Sequence, residues 1–417
     1  MTDQMITTKK EKEQALIMAV QIGAESTEKF DALTEELESL IDTAGGEVLV
    51  TMKQKLPALN AKSAVGSGKL EEIKQQVKIH EIDLVVSLND LSPSMNQYLE
   101  ETLNCRVIDR VQLILDIFAM RAKSREGKLQ VELAQYQYLL PRIIGKGLSL
   151  SRLGGGIGTR GPGETQLETD RRHIRQRINV ISQELKELEK HRKRTRYRRQ
   201  EGREFNLGLV GYTNAGKSTL LRELTNAQTY VQDQLFATLD PKTRQLEIKG
   251  HDAFTITDTV GFIEDLPTEL IHAFKSTLEE IRYVDLLLHV VDASHPDRLM
   301  HEEAVVTLIK ELEMDHIPVL VIYNKIDQIN RNHFHPTLFP NVVISALNSD
   351  DLEKVSEAIW NECIKQARPY KVLIKQEDAA LIAQYRQQTL MTKLEFDPET
   401  ENYIVEGYSK GNINIRK

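Results

Sequence analysis

A short apolar run at residues 207–210 leads without a break into Gly211, Tyr212, Thr213, Asn214, Ala215, Gly216, Lys217, Ser218 and Thr219. Few folds can use such a sequence, because the pattern has to lie between the end of a buried strand and the start of a helix. A phosphate chain needs many donors in a small concave space. The glycines let backbone N–H groups turn inward, and the helix that follows offers its positive end. Lys217 adds a point charge for the β and γ phosphates, and Ser218 adds a hydroxyl suited to Mg²⁺. The architecture this implies is a doubly wound α/β domain with a mostly parallel sheet.

Residues 205–366 fit that architecture, reading strand, helix, strand, strand, helix, strand, helix. The base-selecting residues follow the strand at 319–323, where Asn324, Lys325 and Asp327 stand. The Asp327 carboxylate can accept from both N1–H and the exocyclic amine of guanine, a pair of donors that adenine lacks. After a further strand at 342–344, Ser345, Ala346 and Leu347 offer a backbone N–H to the guanine O6. Between the two sites, the strand at 254–257 runs into Asp258, which can reach Mg²⁺ through water, and Gly261, whose N–H can sense a γ-phosphate. The first switch is assigned to residues 235–240, with Thr238 expected to close on Mg²⁺ and Thr229 and Thr243 as alternatives. The position after Gly261 is Phe262, a side chain that cannot polarise water. Hydrolysis by the free protein is therefore expected to be slow until a partner orders the switches. Lys217, Thr238 and Gly261 are the expected catalytic group.

The rest of the 417-residue chain is long enough for further cores. Its net charge of −8 conceals an asymmetry: residues 121–200 hold 20 Lys and Arg against 8 Asp and Glu, a local +12, so the remainder carries −20. A basic segment in an acidic protein points to a polyanion held by one region. The expected domains are a small parallel α/β domain at 1–123, a helical hairpin with a glycine-rich loop at 124–203, the nucleotide domain at 204–366 and a short α+β tail at 367–417. Within the hairpin, a first helix at 129–140 is expected to stop at Pro141, the glycine loop spans 154–163, and a charged helix runs from about 170 to 199. Ile174, Ile178, Ile181, Leu185 and Leu188 form its apolar stripe. The amino terminus lacks secretory features, no apolar run approaches the ~20 residues of a membrane span, and Cys105 and Cys363 form no scaffold. A reducing cytoplasm is the expected location.

With these motifs and the segment Gly154 through Glu168, followed by Thr169, Asp170, Arg171 and Arg172, the chain closely resembles the HflX family of GTPases. That resemblance implies GTP binding and hydrolysis with Mg²⁺. It further implies association with the ribosome, chiefly the large subunit and its RNA, and dissociation or rescue of stalled or idle ribosomes, with the chain acting as a monomer. The residues agree in kind. Arg142, Lys146, Arg152 and Arg160 flank or enter the glycine loop, Arg171, Arg172, Arg175 and Arg177 follow it, and a further cluster occupies 192–199. The resemblance also associates the first domain with ATP, where Gly66, Ser67, Gly68 and Lys69 precede a helix; an ordinary helix start accounts for the same residues. A different class remains open, a GTP-dependent signalling switch or scaffold on a protein or membrane surface.

Overall fold

The computed structural model describes residues 12–151, 162–200, 204–225, 236, 242–258, 261 and 281–410. The chain divides into two compact units, with the boundary after Glu184.

The first unit is built on four parallel strands, β1 (Glu13–Ile22), β2 (Gly46–Leu56), β3 (Leu84–Ser87) and β4 (Arg106–Asp109), in the order β2-β1-β3-β4. Helices α1 (Thr27–Ala44), α2 (Ser67–Ile79), α3 (Pro93–Leu103) and α4 (Arg110–Arg121) connect and extend them. Each start is specified locally. Ser26, Ser92 and Asp109 accept from backbone N–H groups of the helices that follow, and α1 stops at Gly45, whose φ of 90° suits glycine. The central strand β1 is buried from Ala15 to Gln21 and presents no alternation of apolar and polar residues. The sequence pattern points to strands at 47–52, 83–88 and 105–108 and to helices at 70–80, 93–103 and 110–120, and to neither β1 nor α1.

Helices α5 (Arg125–Ser151) and α6 (Pro162–Gln200) run antiparallel where residues 125–132 face 177–184. Arg125 pairs with Glu184 at 2.9 Å and Arg177 with Glu132 at 2.8 Å, so seven residues forward on one helix match seven back on the other. Ile181 is fully buried in the expected stripe, and Ile174, Ile178, Leu185 and Leu188 are half-buried. Two boundaries differ from the sequence reading. α5 continues through Pro141 instead of ending there, because Tyr138 and Arg142, on either side of the proline, are fastened to the sheet. α6 begins at Pro162, eight residues before the expected start, using a proline in the first turn, where its missing N–H costs nothing. The loop at 154–161 lies outside the described residues.

That fastening is a buried polar cluster at the end of β4. The Asp109 carboxylate accepts from Tyr138 Oη at 2.7 Å, Arg142 Nη2 at 2.9 Å, Gln112 N at 3.0 Å and Leu91 N at 3.2 Å. A buried carboxylate is tolerated because its lone pairs are taken up in this way.

The second unit carries a six-stranded sheet of β5 (Phe205–Val210), β6 (Lys242–Ile248), β7 (His251–Asp258), β8 (Leu286–Asp292), β9 (Val319–Asn324) and β10 (Asn341–Val343). Their order is β10-β9-β8-β5-β7-β6, parallel except for β6. Helices α7 (Lys217–Thr225), α8 (Arg298–Glu311) and α9 (Ser349–Gln366) accompany the sheet. β5 and β8 lie at its centre and are almost wholly apolar, as strands covered on both faces must be. The tail forms β11 (Arg368–Lys375), α10 (Ala380–Gln388) and a β12 (Leu390–Asp397) to β13 (Asn402–Ser409) hairpin, in the antiparallel order β11-β13-β12. Among the described residues, no helix is long and apolar enough to cross a membrane, and Cys105 and Cys363 are free thiols.

Candidate nucleotide site

β5 ends at Val210, α7 begins at Lys217, and the loop between them is tightly constrained. Gly211 has φ 151°, and a Cβ there would stand 2.2 Å from the Val290 carbonyl oxygen of the neighbouring strand. Gly216 has φ 94°, and its Cβ would stand 2.2 Å from Asn324 Nδ2. Asn214 is also left-handed, at φ 60°. The glycine spacing thus follows from close backbone approach as well as from torsion.

Lys217 is buried at the first turn of α7, and its ammonium donates to the Gly211 and Tyr212 carbonyls at 2.9 and 2.8 Å. Burial lowers its pKa to about 8, with Asp258 opposing the shift. Ser218 Oγ donates to Asp258 Oδ2 at 2.8 Å, bringing together the hydroxyl and the carboxylate named from the sequence. Asp258 closes β7 and is 1% exposed. Gly261 is packed on the loop, where an added Cβ would meet Thr213 Cγ2 at 2.8 Å, Thr213 Cα at 3.0 Å and Lys217 Nζ at 3.1 Å. Thr219 is half-buried one residue further along α7. Beneath the lysine, His289 on β8 is pushed down to about 3 by burial and by Lys217, so it stays neutral.

The base-selecting residues assemble around Asn324. Its Nδ2 donates to the Ala215 carbonyl at 3.0 Å, and its Oδ1 accepts from Ala346 N at 2.9 Å. Lys325, left-handed at φ 62°, pairs with Asp292 at 2.8 Å. Asp327 is exposed in the single turn Ile326–Gln328, and the buried Ile326 anchors that turn by donating its N–H to the Ile344 carbonyl at 3.1 Å. Ser345 N donates to Asp351 Oδ2 at 3.0 Å, which fixes the loop carrying Ala346 and the exposed Leu347. Asp292 and Asp351 were missed from the sequence. The first stands at the end of an apolar strand, a signal that was available; the second reads as an ordinary acid in a helix's first turn.

Thr238, Thr229 and Phe262 lie outside the described residues. Thr243 sits in β6, where its hydroxyl pairs with Thr257 across the sheet at 2.9 Å. In the first unit, Gly66 N donates to Gln54 Oε1 at 2.9 Å and Lys69 pairs with Glu72 at 2.6 Å, so these donors of the second glycine-rich turn are engaged within the protein.

The chain is similar to known proteins over nearly its whole length. Residues 31–119 match the family described as GTP-binding GTPase N-terminal, 121–199 the GTP-binding GTPase middle region, and 206–325 the 50S ribosome-binding GTPase family. A GTPase HflX of Alkalihalophilus pseudofirmus is 50% identical over 97% of this chain and 95% of its own length. That of Caldanaerobacter subterraneus subsp. tengcongensis is 46% identical over 88% of this chain and 85% of its own. Among solved structures, the SsGBP complex with GDP aligns at a TM-score of 0.49 and 25% identity, covering 84% of this chain and 98% of that one. The chain binds guanine nucleotide, is a GTP-hydrolysing enzyme, and belongs to the HflX family of GTPases.

Proposed function

We propose that this GTPase associates with the large ribosomal subunit through its helical hairpin in a GTP-dependent manner, and that it dissociates or rescues stalled or idle ribosomes in the cytoplasm as a monomer. The observation that carries the reading is a cleft of about 480 Å³ on α6, whose lining includes Arg171, Arg172, Arg175 and Asn179. These residues recur at helical spacing, so three cations and amides share one face with the single carboxylate of Glu168, a net positive combination suited to structured RNA phosphates and sugar edges. The description of the family matched at 206–325 supports the same partner.

At the nucleotide site, the loop N–H groups from Asn214 to Ser218 and the Lys217 ammonium hold the phosphates, and Asp327 selects guanine. A backbone N–H of the Ser345–Leu347 loop meets the base oxygen, while those of Ser345 and Ala346 donate within the protein to Asp351 and Asn324. A hydroxyl at Ser218 beside a carboxylate at Asp258 is a hard-oxygen set that fits Mg²⁺. When bound, the ion neutralises charge on the β and γ phosphates. Thr238 supplies a further hydroxyl, and the Gly261 N–H meets the γ-phosphate. Gly261 rests on Thr213 and Lys217, and a γ-phosphate held by Lys217 would add a contact to its N–H that hydrolysis removes. The nucleotide state then sets the switch and, through it, the pose of the hairpin.

Cosedimentation with purified subunits tests the proposal. Large-subunit binding with a non-hydrolysable GTP analogue, weaker with GDP and falling steeply with salt, is the expected result. Binding to anionic vesicles in its place would favour a surface-bound switch and overturn the ribosomal reading.

A further inference from the structure

The phosphate loop departs from ordinary backbone at three places, Gly211, Asn214 and Gly216, and such a conformation persists only where neighbours hold it. Some holding contacts belong to the recognised motifs: the Asn324 bond to the Ala215 carbonyl, and the Lys217 bonds to the Gly211 and Tyr212 carbonyls. A further contact at the Tyr212 end comes from a residue of no recognised motif. The Tyr212 ring lies flat on the imidazole of His301, with centroids 3.7 Å apart and an interplanar angle of 10°. Tyr212 is 6% exposed, and its carbonyl is one of the two that receive the Lys217 ammonium.

His301 occupies the first turn of α8 and is itself backed by His295, at 4.3 Å between centroids. His295 Nδ1 accepts from Asp297 N at 3.1 Å, which fixes that ring as an acceptor on this side. Burial first, and His295 next, lower His301 to about 4, with Asp292 opposing, so the ring stacked on Tyr212 is a neutral imidazole. The same turn reaches the guanine side. Asp292 pairs with Lys325, and Ser294 Oγ bonds to Asp292 Oδ1 at 2.6 Å and to Gln328 Oε1 at 3.0 Å. One short segment, 292–301, therefore touches both halves of the site.

We propose that His301 is a positioning residue for nucleotide binding, which acts through Tyr212 to hold the phosphate loop in its binding shape before a nucleotide arrives. The reason is entropic. A loop free to leave this conformation must be re-ordered by the ligand, and that cost is charged to affinity. Once the phosphates are in place they order the loop themselves. Removing His301 therefore weakens binding and leaves the turnover of bound GTP largely intact. The inference rests on the GTPase activity of this site and is independent of the ribosomal proposal.

The test uses the full chain, with equilibrium binding of fluorescent GDP and a GTP analogue and steady-state hydrolysis. His301→Ala is expected to weaken both nucleotides about two- to tenfold, the range of an aromatic pair, raising KM with kcat changed less than about twofold. His301→Phe, which keeps a flat ring, restores affinity. The double variant with Tyr212→Ala binds no more weakly than Tyr212→Ala alone, because the two rings act as one contact. His301→Gln, similar in volume but not aromatic, repeats the comparison if His301→Ala does not fold. Unchanged affinity in both non-aromatic variants, independent losses in the double variant, or a fall confined to kcat would each overturn the proposal.

Discussion

The Asn324 side chain bonds at once to the Ala215 carbonyl, at 3.0 Å, and to the Ala346 amide, at 2.9 Å. One buried amide thereby ties the phosphate loop, the end of β9 and the loop after β10 into a single frame. Asn324→Ala leaves a buried carbonyl and a buried N–H unsatisfied, at ~1–3 kcal/mol each. The expected result is GTP affinity at least about tenfold weaker, with a lower thermal midpoint for the second unit. Calorimetric binding and a melting scan read both.

Gly261→Ala places a methyl group against Thr213 and Lys217, within 2.8 to 3.1 Å. GDP binding should persist, whereas hydrolysis should fall by about tenfold or more if the Gly261 amide stabilises the transferred phosphoryl group. Nucleotide affinity and single-turnover rates on the same preparation separate the two effects. Equal loss of GDP and GTP binding would show that the contact is only part of the loop's packing.

Burial holds Lys217 near 8, below the ordinary 10.5, before nucleotide binds. Phosphate binding favours the charged ammonium, so above pH 8 binding must take up a proton. GTP affinity is accordingly expected to be level below pH 8 and to fall as pH rises beyond it, by up to about tenfold per unit. Binding isotherms between pH 6.5 and 9.5 give the slope, and Lys217→Arg should lose the inflection.

In the first unit, Asp109 is 1% exposed and satisfies Arg142, Tyr138 and two backbone amides. Asp109→Ala leaves the Tyr138 phenol without its partner and the Arg142 guanidinium with only the Tyr138 and Leu91 carbonyls, and should cost ~3 kcal/mol. Tyr138→Phe removes one bond and should cost ~1–1.5 kcal/mol. Denaturant unfolding of the full chain, followed by a probe in this unit, measures both.

The nucleotide site was legible in the sequence because its residues answer to fixed chemistry: glycines where the backbone meets Val290 and Asn324, a lysine at a helix start, an aspartate past a strand. Less legible were residues whose work depends on folding. His301 meets Tyr212 only because β8 turns back through 293–297 into α8, and nothing in its neighbourhood in the sequence announces an aromatic partner. β1 was missed because a strand buried on both faces carries no period, leaving its apolar run open to other readings. Pro141 misled for the opposite reason, since a strong local signal was overridden by the tertiary anchors Tyr138 and Arg142. The early start of α6 was hidden by Pro162 and Gly163, which resemble a loop until the helix is seen to begin on them.

On the function proposed above, Asp327, at the exposed turn after β9, chooses the base for a loop that grips any triphosphate. Competition binding of GTP, ATP and XTP to the native chain and to Asp327→Asn examines that choice at the residue itself. The native protein should prefer GTP over ATP by at least about a hundredfold, as expected where a carboxylate meets two donors. The variant, whose amide can donate to the xanthine 2-oxo group, should lose GTP and gain XTP. Comparable binding of ATP and GTP by the native chain, or an unchanged preference in Asp327→Asn, would rule Asp327 out as the residue that selects guanine.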